Sequence, residues 1–295
     1  SRYLNTLPDR LPDAETARLN LPALRDALQF VHRPPTGADL QLLSSGLHPC
    51  QRRLALEEML AHHLSLRQIR ERAREDQAIA LPATLAAASS LRERFTRSLG
   101  FSLTGGQMAT LVDIDTDLAQ PHPMMRLVQG DVGCGKTVVA AAAALTAIAH
   151  GHQVAIMAPT ELLAEQHRNT FQRWFEPLGI RVVWLSGSLR KRAREQAYAA
   201  AADGSAQLLV GTHALFQAGL FYRSLALVIV DEQHRFGVHQ RLQLVDKGAS
   251  QAARPHQLVM TATPIPRTLA MTLYADLDTS VIRELPPGRQ PVTTI

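Results

Sequence analysis

Residues 129–137 are Gln-Gly-Asp-Val-Gly-Cys-Gly-Lys-Thr, and Gly130 to Thr137 fit the phosphate-binding pattern G-x-x-x-x-G-K-[ST]. Glycines let the backbone turn tightly and bring its N–H groups against phosphate oxygens. Lys136 is then placed to reach the β- and γ-phosphates, and the Thr137 hydroxyl is available to Mg²⁺. The loop predicts a nucleotide site, whose ATP-binding residues include Gly130, Asp131, Val132, Gly133, Cys134, Gly135, Lys136 and Thr137.

The segments on either side of this loop support that interpretation. Residues 125–128 have the character of a short buried strand, and residues 138–150 are strong helix formers, mostly alanine. A helix that begins at the loop directs its positive N-terminal end at a bound anion. A glycine-rich turn that matched the pattern by chance would not be expected to have both flanks, so a nucleotide site is favoured.

Composition agrees with a folded intracellular enzyme, or part of one. The chain has 295 residues, of which 46% are hydrophobic and 19% are charged, as in globular proteins. Two cysteines, Cys50 and Cys134, are too few for a disulfide framework and indicate a reducing compartment. The net charge of +5 permits nucleic-acid binding without requiring it. We expect no signal peptide, and no apolar run in this sequence is long enough to span a bilayer.

Prolines and apolar spacing divide the chain into three parts. Residues 1–47 are broken by prolines and are interpreted as a tail or linker from a preceding domain, with a possible helix over 22–30. Residues 48–100 form a helical linker region, with one helix over about 49–80 and a second to about residue 98. Residues 101–295 form the ATP-binding domain.

Within that domain, short apolar runs alternate with helical segments. Such runs, rich in Val, Leu and Ile, are typical of a parallel sheet covered on both faces. We therefore predict an α/β fold with a parallel central sheet, in which ligands bind at the carboxyl ends of the strands. The predicted strands lie at about 126–129, 154–158, 181–185, 207–211, 226–230 and 257–261.

Two adjacent carboxylates follow one of these strands. Residues 225–230 are apolar and lead directly into Asp231 and Glu232. Burying carboxylates at a strand end is unfavourable unless they hold a metal or take up a proton. In a phosphate-loop enzyme the first acid ligates Mg²⁺ and the second orients the attacking water. We assign these roles to Asp231 and Glu232, and with Lys136 they form the predicted catalytic set.

Two basic segments are weaker candidates for contact with DNA. The run from Arg67 to Arg74 is interspersed with acidic residues, which favours a solvated helix face. The sequence leaves two alternatives for the second cluster, a DNA contact and a solvated helix start. That cluster consists of Arg190, Lys191, Arg192 and Arg194.

Four further segments give the chain a strong resemblance to the RecG branched-DNA helicase family of superfamily 2. Residues 231–238, Asp-Glu-Gln-His-Arg-Phe-Gly-Val, resemble that family's motif II with its extension. The resemblance is strong over 101–295 and looser over 34–100, and it implies a RecA-like fold. The other three segments are 158–167 (resembling motif Ia), 210–215 (a DNA-contacting segment) and 261–269 (resembling motif III).

The resemblance also implies roles for individual residues. Gln107 matches the residue that recognises adenine, with a polar helix start as an equal alternative, and Phe101 is more readily a core residue than a base-stacking one. Cys134 stands where the family usually has Ser, and its thiol could be oxidised. Implied DNA contacts are Thr160, Gly187 in the turn 186–188, Thr212 and His213, and implied coupling residues are Gln233, His234, Thr261 and Thr263.

The implied function is that of the first motor domain of a RecG-like ATP-dependent DNA helicase acting on branched DNA, with ATP and Mg²⁺ as cofactors. The chain starts without Met and ends on Thr294-Ile295, so we interpret it as a fragment that lacks the second motor domain and is nearly inactive alone. We expect a bacterial cytoplasmic, nucleoid-associated monomer without membrane contact. The related transcription-coupled repair translocase and a nucleotide-regulated binding module remain alternatives, whereas a metabolic kinase is disfavoured.

Overall fold

The computed structural model describes residues 7–217, 219–231, 253–262 and 277–284, without the side chains of 66, 69, 70 and 72–74. The chain forms two compact units, residues 1–69 and residues 70–295. The predicted boundary at 100/101 thus lies inside the second unit, and the three-part division stays a prediction. No helix among these described residues has both the length and the apolar character needed to cross a membrane.

The first unit is helical and contains a buried arginine. Arg53 is fully buried and forms ion pairs with Asp9 and Glu57. Asp9 also accepts a hydrogen bond of 2.9 Å from the backbone N–H of Leu24, at the start of a helix. The arginine therefore ties the irregular start of the chain to two helices. The helices are α1 (Asp13–Arg18), α2 (Leu24–His32), α3 (Leu40–Ser44) and α4 (Pro49–Glu75), the last of which continues past residue 69.

The second unit contains a parallel sheet, which confirms the predicted fold class. Every strand pairing within the described residues is parallel, and the strand order is β3-β4-β2-β5-β6-β1-β7. Six strands match the predicted ones, while β7 was missed by the sequence interpretation. The strands are β1 (Met125–Gly130), β2 (Gln153–Met157), β3 (Val182–Leu185), β4 (Leu208–Gly211), β5 (Leu225–Asp231), β6 (His256–Thr261) and β7 (Asp278–Ile282).

Helices cover the sheet and bury its apolar side chains. The alanine-rich helix after the phosphate loop is almost wholly buried, because small side chains allow it to lie close to the strands. Phe95 packs edge-on against Phe175 and Trp174, so the helix that carries Phe95 belongs to the core of this unit. The helices are α5 (Ala86–Ser98), α6 (Gly105–Leu118), α7 (Lys136–Ala149), α8 (Glu161–Phe175) and α9 (Lys191–Ala202).

The segment between α4 and α5 is held at the amino ends of β1 and β6 by a buried histidine. The Nδ1 atom of His256 accepts from the backbone N–H of Met124 at 2.9 Å, and its Nε2 atom donates to the carbonyl of Ile79 at 2.8 Å. α4 was predicted to continue to about residue 80, and it ends at Glu75 because the following residues form these contacts instead. Further hydrogen bonds of this segment join Ala78 to Pro121, Leu81 to Leu118 and Gln77 to Arg254.

Candidate functional site

The phosphate loop follows β1 and is shaped by two close contacts. A Cβ atom at Gly130 would lie 2.8 Å from the carbonyl oxygen of Ile282 on the neighbouring strand β7. Gly135 has a φ of +89°, and a Cβ there would lie 2.1 Å from the Nε2 atom of Gln107. Only glycine satisfies both the positive φ and the space at Gly135. The loop conformation is therefore fixed by its surroundings as well as by its own sequence.

Lys136 turns its ammonium group onto the loop itself. Its Nζ atom donates to the carbonyl oxygens of Gly130 at 2.6 Å and Asp131 at 3.1 Å, and it lies 4.0 Å from the Sγ atom of Cys134. The side chain is nearly buried, whereas residues 131–133 are exposed. A buried ammonium needs compensating charge or acceptors, and phosphate oxygens are stronger partners than carbonyls. The lysine is thus placed where an anion would bind.

Gln107 joins the start of α6 to the phosphate loop. Its Oε1 atom accepts from the backbone N–H of Thr104 at 2.9 Å, completing a capping box with that residue. Its Nε2 atom donates to the carbonyl oxygen of Cys134 at 2.9 Å, and the residue is 2% exposed. The amide is thus engaged at both ends, as expected for the helix-start alternative. Recognition of adenine by Gln107 stays a prediction.

Thr137 and Asp231 are the described candidates for a metal site. Thr137 is the second residue of α7 and is half-buried. Asp231 ends β5, and its Oδ2 atom lies 2.7 Å from the Nε2 atom of His167 on α8. An ionised carboxylate only accepts hydrogen bonds, so Nε2 of this histidine carries the proton. Glu232, Gln233, His234 and Thr263 lie outside the described residues.

The sheet brings the loop and Asp231 to the same edge. Between β5 and β1 lies a single strand, β6, whose last residue Thr261 is level with Gln129 on β1. Asp231 on the other side pairs with Met260. Neighbouring strands are about 4.8 Å apart, so β5 and β1 end about 10 Å from each other. That distance suits two sides of a bound triphosphate, with Thr261 between them.

The predicted DNA contacts follow the other half of the sheet. Thr160 is exposed and caps α8, accepting from the N–H of Leu163 at 3.3 Å, and Gly187 and His213 are exposed after β3 and β4. Thr212 is 3% exposed, and no partner for its hydroxyl lies within hydrogen-bond distance in the described part of the chain. Backbone hydrogen bonds hold the three strand ends together, from Ala158 to Gly211 at 3.0 Å and from Thr212 to Leu185 at 3.3 Å.

The basic cluster lies at the start of α9, next to these loops in sequence. Arg190 precedes the helix, and Lys191 lies 4.0 Å from Glu195 with both side chains mostly exposed. An exposed pair of this kind contributes at most about 1 kcal/mol. Both alternatives for the cluster, a DNA contact and a solvated helix start, therefore stay open.

Three residues near the site have surroundings that the sequence did not reveal. Phe101 is 51% exposed, so the prediction that it lies in the core is wrong. It precedes α6, which begins at Gly105. Glu284 accepts from the N–H of Gly106 at 2.9 Å, at the positive end of α6. His167 was part of a recognised motif but had no assigned role. The contacts of Glu284 with Gly106 and of His167 with Asp231 join residues far apart in sequence, so no local pattern indicates them.

Comparison with known proteins identifies a family and several relatives. Residues 107–272 match the family described as DEAD/DEAH box helicase. ATP-dependent DNA helicase RecG of Escherichia coli (strain K12) is 57% identical over 284 residues, covering 96% of this chain and 40% of that protein. RecG of Haemophilus influenzae is 56% identical over 273 residues, covering 92% of this chain and 39% of that protein.

A solved structure of RecG bound to a three-way DNA junction is also similar to this chain. It has 35% sequence identity and a TM-score of 0.78, over 98% of this chain and 37% of that one. The chain thus spans about two-fifths of the length of these relatives. The resemblance to RecG inferred from the sequence motifs is confirmed, and the chain belongs to the DEAD/DEAH box helicase family.

Proposed function

We propose that this chain is the ATP-binding motor domain of a RecG-like ATP-dependent DNA helicase that remodels branched DNA, such as stalled forks and Holliday junctions. One observation supports this above the others. The phosphate loop and Asp231 lie on the β5-β6-β1 half of the sheet, and three loops with polar or backbone groups suited to phosphates lie on the adjoining β2-β4-β3 half. One edge of a single sheet can therefore bind nucleotide and track a DNA strand.

In this proposal the triphosphate lies against the backbone N–H groups of the loop and the N-terminus of α7. Lys136 exchanges its carbonyl partners for the β- and γ-phosphates, and Gln107 lies beside the loop, where adenine would be recognised. The exposed backbone at 131–133 and the missing Cβ atoms at Gly130 and Gly135 fit this close approach. The loop would thus hold the phosphates through main-chain groups.

Thr137 and Asp231 fit Mg²⁺ because hydroxyl and carboxylate oxygens are its usual protein ligands. When bound, Mg²⁺ neutralises charge on the β- and γ-phosphate oxygens. No group of three or more His, Cys, Asp or Glu in the described residues could hold a metal by itself. Mg²⁺ takes one or two protein ligands together with water and substrate phosphates, which is the number that Thr137 and Asp231 would supply.

The remaining assigned residues complete a hydrolysis and coupling cycle. Glu232 orients the attacking water, and Thr261 ends β6 between the two halves of the nucleotide site. The hydroxyls and backbone groups of the DNA loops would contact phosphates and therefore position a strand without reading its bases. Coupling would involve Gln233, His234, Thr261 and Thr263, and DNA contact would involve Thr160, Gly187, Thr212 and His213.

Hydrolysis measured with and without forked DNA tests this function. In a protein of full RecG length that carries this chain, we expect forked DNA to accelerate ATP hydrolysis and junctions to be remodelled. Glu232→Gln should still bind ATP but lose hydrolysis, because the amide keeps the shape of the side chain without its basicity. A rate of ATP hydrolysis that is the same with and without DNA would favour a nucleotide-regulated binding module. Stimulation by duplex DNA without junction remodelling would favour a translocase of the transcription-coupled repair type.

A further inference from the structure

We infer that His167 is a positioning residue for the metal-binding carboxylate of Asp231, and this inference rests on the proposed function. Nε2 of His167 lies 2.7 Å from Oδ2 of Asp231, and the two side chains are only 10% and 15% exposed. The hydrogen bond therefore engages one of the two carboxylate oxygens of Asp231. A residue that forms a hydrogen bond with a metal-binding side chain fixes the rotamer of that side chain and raises the affinity for the metal.

The histidine is itself held in place by the aromatic core. Its ring centroid lies 6.3 Å from that of Phe171, one turn later on α8, and Phe171 is fully buried. Phe171 packs edge-on against Phe175 at 5.3 Å and Trp174 at 5.9 Å. A ring fixed by such packing loses little conformational freedom when it donates its hydrogen bond. Asp231 is therefore oriented by a rigid partner.

The helix that carries His167 also begins at a predicted DNA contact. Thr160 caps α8, and His167 follows seven residues later, which is about 10 Å along the helix axis. Glu161 in the first turn accepts from the hydroxyl of Ser188 at 3.1 Å, in the turn after β3. α8 therefore joins the DNA half of the sheet edge to the carboxylate at its nucleotide half. His167 therefore lies between the predicted DNA contacts and the carboxylate of Asp231 at the nucleotide site.

Four single variants distinguish a hydrogen-bonding role from a packing role. His167→Gln places its amide nitrogen near the position of Nε2, whereas His167→Asn places it near Nδ1, which is too far from Asp231. His167→Phe keeps the ring and removes the donor. Asp231→Asn removes the proposed ligand charge and serves as the reference. Thermal unfolding of each variant, without metal or nucleotide, reports on folding.

The measured quantity is the factor by which Mn²⁺ tightens binding of a fluorescent, non-hydrolysable ATP analogue to the 295-residue chain. This ratio of affinities needs no turnover, and it cancels effects on the nucleotide alone. We expect it to fall by roughly tenfold in His167→Phe and His167→Asn, as for other residues that support metal ligands. His167→Gln should keep most of it, and Asp231→Asn should lose at least as much as the phenylalanine variant.

Each other outcome contradicts a specific statement. If His167→Gln is as weak as His167→Phe, the ring matters for packing and the positioning role is wrong. If all three His167 variants keep the wild-type ratio while Asp231→Asn loses it, the inference fails and the metal site stands. If Asp231→Asn keeps the ratio, the proposed metal site itself is wrong. Should His167→Phe fail to fold, the comparison of glutamine with asparagine still decides.

Discussion

The side-chain amide of Gln107 donates to the main-chain carbonyl of Cys134 at 2.9 Å, so the start of α6 and the phosphate loop share a buried hydrogen bond. The same amide caps its own helix through Thr104. A change at Gln107 therefore acts on two elements at once, and the substituent chosen decides which one is disturbed.

Gln107→Glu should damage the loop more than the helix. The carboxylate keeps the acceptor for Thr104 but loses the donor to Cys134 and places a negative charge beside a carbonyl. Leaving a buried carbonyl without its donor costs about 1–3 kcal/mol, so we expect lower free energy of unfolding and weaker ATP binding. Gln120→Glu is the control, because Gln120 is exposed just past the C-terminal end of α6, where its amide donates to the carbonyl of Thr116 at 3.2 Å. Equal ATP affinities for the two variants would contradict the link.

Gly135→Ala should abolish nucleotide binding, whereas Gly151→Ala should only reduce stability. Both glycines have positive φ, +89° and +81°, so both substitutions strain the backbone by about 1–2 kcal/mol. A Cβ at Gly151 has open space, whereas one at Gly135 collides with Gln107. Thermal unfolding and fluorescent ATP binding measure the two effects. Tight ATP binding by Gly135→Ala would show that the loop can rearrange around the added carbon.

Lys136→Ala should weaken triphosphate binding, and ATP hydrolysis in the full-length protein should stop. The bound phosphates would lose a charged hydrogen-bond partner, which is worth about 1.5–3 kcal/mol and corresponds to a roughly tenfold to hundredfold loss of affinity. Lys191→Ala is the control, since Lys191 is exposed at the start of α9. Isothermal titration with ATP and Mg²⁺ compares them. Unchanged turnover in Lys136→Ala would remove Lys136 from the catalytic set.

Thr212→Val should weaken DNA binding without weakening the fold. The buried hydroxyl of Thr212 has no partner among the described residues, so replacing it with a methyl group leaves the free energy of unfolding equal or higher. A DNA phosphate that accepts from this hydroxyl would lose a hydrogen bond, and affinity for single-stranded DNA should fall severalfold at low salt. Thr146→Val on α7 is the matched control. Equal DNA affinity for both would exclude Thr212 from the interface.

The free energy of unfolding should decrease as pH is lowered below about 6.5, because of His256. Burial lowers the pKa of His256 from its ordinary value of 6.5, and the unfolded chain therefore binds the proton more readily. Above pH 6.5 the neutral histidine makes its full contribution to the free energy of unfolding. This contribution decreases as pH is lowered from 6.5 towards the pKa of the folded state. His152, whose pKa burial also lowers, adds a change of the same sign.

Urea unfolding at pH 7.5 and 5.5 measures this effect. His256→Gln should be less stable at pH 7.5, because it loses at least one of two buried hydrogen bonds, but its stability should depend less on pH. His32→Gln, at an exposed position, should keep the wild-type dependence. An unchanged pH dependence in His256→Gln would assign the effect to other groups.

Local patterns were enough to predict six strands and the phosphate loop. Their residues are apolar or glycine-rich in short contiguous runs, and burial on both faces requires that composition. β7 was missed because only two of its five residues are buried, Ser280 and Ile282, so Asp278–Ile282 resembles a surface segment. Its pairing with β1 places Ile282 beside Gly130, which no local signal indicates.

The candidate site was predicted through residue types, and its geometry was not. Asp231 and Lys136 were assigned as candidates because strand-end carboxylates and loop lysines have distinct chemistry. The contact of His167 with Asp231 joins residues 64 positions apart and depends on the strand order, which the sequence did not specify. Phe101 was misjudged for the related reason that an aromatic residue near a helix start gives no information about what covers it.

The late pairing of β1 has a consequence for synthesis of the protein. β1 pairs with β6 and β7, and its start contacts His256, which is 132 residues further along the chain than Met124. At 5–20 residues per second, a ribosome needs roughly 7–26 s to make that interval. Throughout this time the nascent chain has an apolar strand with both hydrogen-bonding edges unpaired, next to a glycine-rich loop without its support. We therefore expect chaperones to bind the nascent chain mainly while the residues between Met124 and His256 are being synthesised. Slowing translation of this stretch should lower the yield of folded protein.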